Sequence, residues 1–199
     1  NSETFSENLE NITFAIFPHI YWDISSSAGN DLFKDYKDWF ESSVKYILDN
    51  TNSKIIIKDH PSNLFKLKLM GLDYISPIKD FLNNLPKIYE ERFTYYPPNT
   101  KTSALSLIEK ADCILTVRGT IGIEACLFNK EVIFAGSGRF SGYKFGLFPQ
   151  SINEYYDLIK KSSQRKLKPR NHAIYAAIYL DILWNRMTYY EKFTKSKYV

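Results

Sequence analysis

Short apolar runs alternate along the chain with longer segments whose apolar residues recur at helical spacing. The short runs are rich in β-branched and aromatic residues, which predicts five strands over residues 12–17, 54–57, 93–96, 113–117 and 132–135. The longer segments predict helices over residues 31–48, 62–70, 76–89, 103–110, 151–161 and 172–192, with one more helix directly after the fourth strand. Alternating strands and helices are typical of an α/β fold, so we expect a Rossmann-like parallel sheet with flanking helices.

Two of these helices carry boundary signals. The helix over 31–48 has the clearest apolar stripe, and Asn30 or Asp31 is placed to cap its first turn. The helix over 76–89 has a weaker pattern that Pro86 interrupts.

Three loops combine polar and glycine residues directly after predicted strands. The first covers residues 17–23 and includes His19 and Asp23; the second covers 58–61, and the third covers 118–122. Open α/β sheets bind ligands at the carboxyl ends of their parallel strands. We therefore expect the three loops to lie side by side at a binding edge.

The third loop has the features of a phosphate-binding turn. Gly119 and Gly122 let the backbone approach a ligand, and a helix that starts there directs N–H groups outward. Thr120 adds a hydroxyl, and Glu124 is placed to accept hydrogen bonds from ribose hydroxyls. The spacing fits equally well a plain strand-to-helix turn with Thr120 as cap and Glu124 in solvent. The loop is neither a Walker A nor a G-x-G-x-x-G sequence, which argues against ATP hydrolysis and NAD chemistry.

The second loop contains a histidine followed by proline. Pro61 favours an extended backbone at His60, which would direct the imidazole toward the ligand edge. Such a histidine can donate to a phosphate or stabilise a leaving group, although a surface histidine at a strand end fits as well. His172 lies in an apolar helix, where a structural role is the expected one.

Composition narrows the function classes. Of the 26 basic residues in the 199-residue chain only six are arginine, and no zinc-finger, helix-turn-helix or calcium-loop pattern is present. Sequence-specific readers of DNA depend on arginine, so we expect no nucleic-acid partner. The two cysteines lie in apolar surroundings, which favours reduced thiols and a cytoplasmic location. No apolar run approaches the ~20 residues of a membrane span.

The ends of the chain differ from its middle. Residues 1–11 are a polar lead-in without the features of a natural start, so we expect a piece of a longer protein. Residues 160–199 hold ten Lys/Arg against two Asp/Glu and contain several aromatic residues. We expect 166–199 to form a basic, aromatic helix on or beside the main domain. This segment fits either a packed helix with solvated lysines or a peripheral contact with the inner face of an anionic membrane.

The order and spacing of several segments resemble the bacterial capsule-polysaccharide-biosynthesis proteins. These segments are residues 17–23 (Phe-Pro-His-Ile-Tyr-Trp-Asp), 55–61 (Ile-Ile-Ile-Lys-Asp-His-Pro), 103–125, 129–133 and 136–142. That family includes Kdo transferases and shares a His-Pro motif with several bacterial sialyltransferases. The resemblance implies a GT-B glycosyltransferase, with residues 12–165 as its C-terminal, nucleotide-sugar-binding domain. It also implies that protein donors replace a metal, so neither a metal nor a cofactor is expected.

The resemblance assigns roles to individual residues. His60 and Pro61 match the motif that contacts the donor nucleotide and its phosphate, and Gly119 and Thr120 match the phosphate-binding turn. Glu124 matches a ribose or nucleotide contact.

The resemblance points to further positions. It implies that Ser103 contacts a phosphate just before its helix and makes His60 a candidate catalytic group; the catalytic residue is otherwise unknown. Arg118 departs from the family, whose members commonly have a small or neutral residue before the Gly-Thr pair. The weaker donor-site candidates are His19, Asp23, Lys58, Arg118 and Gly138.

The implied activity is transfer of a sugar from a nucleotide-activated donor, CMP-Kdo or a related CMP-sugar, to a surface polysaccharide. Its partners would be the nucleotide sugar, a glycan or glycolipid acceptor, and an N-terminal acceptor domain that these 199 residues lack. Without that domain we expect the chain to bind donor and transfer little. Two alternatives remain open at this point: a UDP-sugar 2-epimerase-like isomerase, and a non-catalytic nucleotide-sugar-binding module.

Overall fold

Five short strands form one parallel sheet in the computed structural model, which describes residues 11–21, 31–69, 71, 76–138, 140–167 and 172–186. The strands are β1 (Thr13–Ile16), β2 (Lys54–Lys58), β3 (Phe93–Tyr96), β4 (Cys113–Thr116) and β5 (Glu131–Phe134). They lie in the order β3-β2-β1-β4-β5, and every pairing is parallel. This order confirms the α/β, Rossmann-like sheet that the sequence predicts.

Helices connect the strands. They are α1 (Tyr36–Asn50), α2 (Ser62–Leu69), α3 (Pro77–Asn83), α4 (Ala104–Lys110), α5 (Ile121–Leu127), α6 (Ile152–Ser163) and α7 (His172–Asp181). A 3-10 helix covers Lys87–Arg92, and a π-helical turn, Ile182–Arg186, continues α7.

The sheet separates two apolar cores, because side chains along a strand alternate between its faces. Ile55 and Ile57 belong to the core formed with α1, α3 and α6, whereas Ile56 belongs to the core formed with α4, α5 and α7. The loops at the carboxyl ends of the strands are thus held between two packed layers.

The start of α1 differs from the prediction. The helix begins at Tyr36, and its cap is Asp35, whose carboxylate accepts from the Asp38 N–H at 2.7 Å. Asp31 instead makes a backbone bridge to Gly136, so the segment before α1 runs along the end of β5. The expected cap at Asp31 is therefore wrong for a tertiary reason that the local pattern does not contain, and Asn30 lies outside the described residues.

The segment 76–89 also differs from the prediction, because it forms two elements instead of one helix. Ser76 caps α3 by accepting from the Lys79 N–H, and the helix ends at Asn83. Pro86, which lacks an N–H, precedes the 3-10 helix that leads into β3.

Both cysteines are buried thiols. Cys113 and Cys126 are fully buried, and the Cys126 thiol donates to the Phe145 carbonyl at 2.8 Å. Burial raises the pKa of the Cys126 thiol to about 12 and raises the pKa of Cys113 as well. We expect a thiol reagent at pH 8 to leave both unmodified in the folded protein and to titrate two thiols after unfolding in urea. Rapid labelling of folded protein would contradict this packing.

Among the described residues, no helix is both long enough and apolar enough to pass through a lipid bilayer.

Candidate functional site

An open cleft of about 280 Å³ lies at the carboxyl ends of β1, β2 and β4, beside the first turn of α4. From β1 the chain continues to α1 on one face of the sheet, and from β4 to α5 on the other. The cleft thus lies where the strand order reverses, the usual ligand position in such sheets. Its lining consists of Phe17, Pro18, His19, Lys58, Asp59, His60, Pro61, Ala104, Thr116, Gly119, Thr120, Ile121 and Glu124.

The loop after β1 contributes a histidine that supports the neighbouring turn. The His19 ring stacks on Tyr36 with ring centroids 4.5 Å apart, and its Nε2 accepts from the Arg118 N–H at 3.2 Å. In the neutral ring the proton is therefore on Nδ1. His19 fixes the loops after β1 and β4 relative to each other.

The turn after β4 requires glycine for close packing. A Cβ at Gly119 would lie 2.9 Å from Thr116 Oγ1, and one at Gly122 would lie 2.4 Å from the Phe134 ring. Thr120 precedes α5 without making a side-chain cap, so its expected capping bond is not formed. Within the described residues, the Thr120 and Ile121 N–H groups have no acceptor.

The loop after β2 brings a cation and a histidine to the cleft. Lys58 ends β2 and is buried, yet none of the described residues pairs with its ammonium group. Burial lowers the pKa of Lys58, and the charge of Asp59 opposes that shift. His60 Nδ1 accepts from the Ser62 N–H at 3.2 Å, so the neutral ring carries its proton on Nε2 as a donor.

Asp59 is the anchor of this loop, and sequence reasoning did not single it out. Its carboxylate is fully buried and accepts from the His60 N–H at 2.7 Å and from Asn63 Nδ2 at 2.6 Å. It also accepts from the hydroxyls of Ser76 at 3.0 Å and Tyr95 at 2.9 Å. The carboxylate thereby joins the end of β2 to α2, α3 and β3.

Glu124 supplies the opposite charge. It lies in the first turn of α5, lines the cleft and is partly buried, which raises the pKa of its carboxyl group. Among the described residues no hydrogen bond or ion pair holds this carboxylate. The cleft thus contains one ammonium and one carboxylate that form no hydrogen bond or ion pair with the described residues.

Other predicted site residues lie outside the cleft lining. Ser103 caps α4 by accepting from the Ser106 N–H at 3.1 Å, and Ala104 is the α4 residue that reaches the cleft. Gly138 donates its N–H to Ser141 Oγ beside a second depression after β5. Asp23 lies outside the described residues.

Arg118 points away from the cleft as well. Its guanidinium forms an ion pair with Asp31, in space that a Cβ at Gly136 would fill. Arg118 thus connects the segment before α1 to the loop after β4.

Across the described part of the chain, no group of three or more His, Cys, Asp and Glu side chains is arranged to hold a metal ion.

Solved structures with a similar fold include the following three proteins. Thermosulfurimonas dismutans KpsC, beta Kdo 2,4 transferase, is 16% identical with a TM-score of 0.46, over 88% of this chain and 46% of that one. Methanocaldococcus jannaschii UDP-GlcNAc 2-epimerase is 17% identical with a TM-score of 0.47, over 86% and 44%. The wall teichoic acid polymerase TagF is 13% identical with a TM-score of 0.44, over 87% and 39%.

This chain therefore spans less than half the length of these proteins. No curated protein sequence matches it. The profile of the capsule polysaccharide biosynthesis proteins matches residues 8–185, which is most of the chain. The chain belongs to the capsule polysaccharide biosynthesis protein family.

Proposed function

We propose that the cleft binds the phosphate of a nucleotide-activated sugar and that residues 12–165 are the donor-binding domain of a glycosyltransferase. The observation that carries this proposal is Lys58, a buried cation at the point where the strand order reverses, whose ammonium group forms no hydrogen bond or ion pair with the described residues. A buried charge is costly unless it is paired, so the site favours a ligand that brings an anion.

Neighbouring donors support an anionic ligand. His60 Nε2–H and the N–H groups of Thr120 and Ile121 belong to the same lining as Lys58. Hydrogen bonds to charged acceptors are stronger than those between neutral groups, and several on one phosphate act together.

Glu124 argues for a ligand that carries hydroxyl groups besides its phosphate. A carboxylate repels an anion but accepts hydrogen bonds from ribose or sugar hydroxyls. An inorganic phosphate would gain nothing from Glu124, whereas a nucleotide sugar satisfies both the cation and the acid.

The donor that we propose is CMP-Kdo or a related CMP-sugar, and the acceptor is a glycan or glycolipid of the capsule. Transfer breaks the bond between the anomeric carbon and the phosphate oxygen and joins that carbon to an acceptor hydroxyl oxygen. Lys58 and His60 stabilise the departing phosphate, which needs no metal or cofactor in this proposal. The acceptor proton passes to a base that we do not assign.

Nucleotide binding tests the proposal most directly. We expect isothermal calorimetry to detect CMP binding that is tighter than UDP or GDP binding. His60→Ala should weaken that binding by about 1–3 kcal/mol, since it removes a hydrogen bond to a charged group. The thermal unfolding midpoint of the variant serves as a control for folding. Unchanged affinity in His60→Ala would refute the role of the His-Pro turn.

Turnover separates the remaining functions. When CMP-, UDP- and GDP-activated sugars are each offered with a capsule acceptor, we expect transfer only if an acceptor-binding domain is present. Orientation of the acceptor against the donor supplies up to roughly 7–11 kcal/mol of rate acceleration. Epimer formation would identify an isomerase instead, and binding without either product in the complete protein would identify a binding module. Rapid transfer by the 199 residues alone would show that no second domain is needed.

A further inference from the structure

The turn after β4 begins with long hydrogen bonds. The Gly119 N–H lies 3.3 Å from Thr116 Oγ1, and the Arg118 N–H lies 3.2 Å from His19 Nε2. Both distances are at or beyond the upper end of the ordinary range for a hydrogen bond. Long bonds restrain the backbone weakly, so a stronger contact beside them has the larger effect on where the turn lies.

That stronger contact is the ion pair between Arg118 and Asp31. Arg118 opens the turn, and its guanidinium meets the Asp31 carboxylate. The two side chains are only 10% and 15% exposed, so water screens their attraction less than it would at the surface. Asp31 is itself fixed, because its backbone pairs with that of Gly136 at the end of β5. The pair thus ties the turn after β4 to the segment before α1 and to the end of β5.

The loop after β5 leaves room for this arginine at two glycines. A Cβ at Gly136 would lie 2.7 Å from Val117 Cγ1 and 3.3 Å from Arg118 Nη2. A Cβ at Gly138 would lie 3.3 Å from Arg118 Cβ. A side chain at either position would press on Arg118, so the loop after β5 fits closely around it. A close fit limits the conformations of the arginine, and the ion pair therefore holds one geometry.

Stability alone does not account for an ion pair at this place. Desolvating two charges offsets most of what their attraction contributes, so a buried pair is often no more stabilising than apolar residues of the same volume. What such a pair does provide is a fixed arrangement, because few geometries satisfy both charges. The element that it fixes here is the turn whose Thr120 and Ile121 line the cleft.

Arg118 affects the cleft through this turn and not by contact. The cleft lining includes Gly119 and Thr120, but neither Arg118 nor Asp31. The two charges of the pair also oppose each other, so together they change the potential in the cleft little. Donors that are already in position bind an anion better than donors that must first be ordered, since less free energy is lost on binding.

We infer that the ion pair between Arg118 and Asp31 positions the N–H groups of Thr120 and Ile121 for the phosphate of the ligand. The inference rests on the proposed function of the cleft. It makes Arg118 and Asp31 positioning residues, because neither touches the phosphate.

Two single variants separate positioning from a direct effect of charge. The probe is whichever of CMP, UDP and GDP the wild type binds most tightly in calorimetry. Arg118→Met and Asp31→Asn should each weaken that binding by about tenfold or more, because a displacement of about 1 Å is costly wherever geometry is preset. A direct effect of charge predicts the opposite for Asp31→Asn, which removes a negative charge and would tighten the binding of an anion.

The double variant and the turn itself provide two further readouts. Arg118→Met combined with Asp31→Asn should weaken binding by no more than about threefold beyond the weaker-binding single variant, because either substitution already breaks the same pair. The amide resonances of Thr120 and Ile121 should shift when the nucleotide is added to the wild type. At equal saturation they should shift less in the variants, which a purely structural role of the pair would not produce.

Arg165→Met is the matched control. Arg165 forms an ion pair with Asp112, directly before β4 and therefore at the opposite end of the strands from the cleft. Its loss should leave nucleotide affinity unchanged. All affinities are measured well below the unfolding midpoint of the least stable variant, so that a loss of fold is not counted as a loss of binding.

Three outcomes would overturn the inference while leaving the proposed function intact. They are wild-type affinity in both single variants, tighter binding by Asp31→Asn, and losses that simply add in the double variant. Absence of binding of all three nucleotides by the wild type would instead overturn the proposed function, and the inference with it.

Discussion

Asp59→Ala should lower the free energy of unfolding by about 3–5 kcal/mol, the usual cost of removing one member of a buried charged network. The substitution leaves the His60 N–H and the Asn63 amide without their acceptor and removes the charge next to Lys58. The hydroxyls of Ser76 and Tyr95 also lose their acceptor, but this costs less free energy. The two oxygens are only 2.9 Å apart, so the hydroxyls can hydrogen-bond to each other.

Urea unfolding followed by circular dichroism measures this effect. Asp59→Asn keeps the shape, and the hydroxyls of Ser76 and Tyr95 can turn to accept from its amide, so its cost should be distinctly smaller. Asp157→Asn is the surface control, since Asp157 and Lys161 form an ion pair with both side chains 51% exposed, and it should change stability by less than about 0.5 kcal/mol. Equal effects of Asp59→Ala and Asp157→Asn would disprove the anchoring role.

Lys58→Met should change binding and stability in opposite directions. Methionine fills similar apolar space but carries no charge, so nucleotide affinity should fall by about 1.5–3 kcal/mol, roughly tenfold to more than a hundredfold. The free energy of unfolding should rise, because the cost of desolvating the Lys58 ammonium exceeds its attraction to Asp59. A substitution that stabilises the fold and weakens binding identifies a residue retained for its ligand.

The pH dependence of stability provides an independent check on Lys58. Its pKa is lower in the folded than in the unfolded chain, so the unfolded chain binds more protons between those two values. Over that interval, below the ordinary lysine pKa, the wild type should gain stability as pH rises, and Lys58→Met should lack this gain. Lys54→Met, at the exposed start of the same strand, is the matched control and should affect neither binding nor this gain.

The fold was predictable because its signals are local. Each strand is a short apolar run, and parallel pairing follows from the helices between runs. The start of α1 was not predictable, because Asp31 forms an ion pair with Arg118 and a backbone bridge with Gly136. Both partners are distant in the sequence. A capping residue is recognisable from its neighbours only when nothing far away competes for it.

The candidate site was likewise predictable only in part. His60 and Gly119 follow strands directly, so their position at the cleft follows from topology alone. The role of Asp59 depends on Ser76 and Tyr95, which are 17 and 36 residues away, and no spacing rule joins them. One signal was present, since Lys58 and Asp59 continue an apolar strand without an intervening turn residue, which brings both charges into the interior.

The central position of β1 also affects how the chain folds during synthesis. One edge of β1 pairs with β2 after a single helix, but the other waits for β4, and the contact between Thr13 and Asp112 spans 99 residues. At a synthesis rate of about 5–20 residues per second, that edge stays unpaired for roughly 5–20 s. An unpaired apolar edge is a template for association with other chains. The yield of folded protein during synthesis should therefore depend on chaperones that shield β1. It should also depend on how soon β4 emerges from the ribosome, rather than on the stability of the finished sheet.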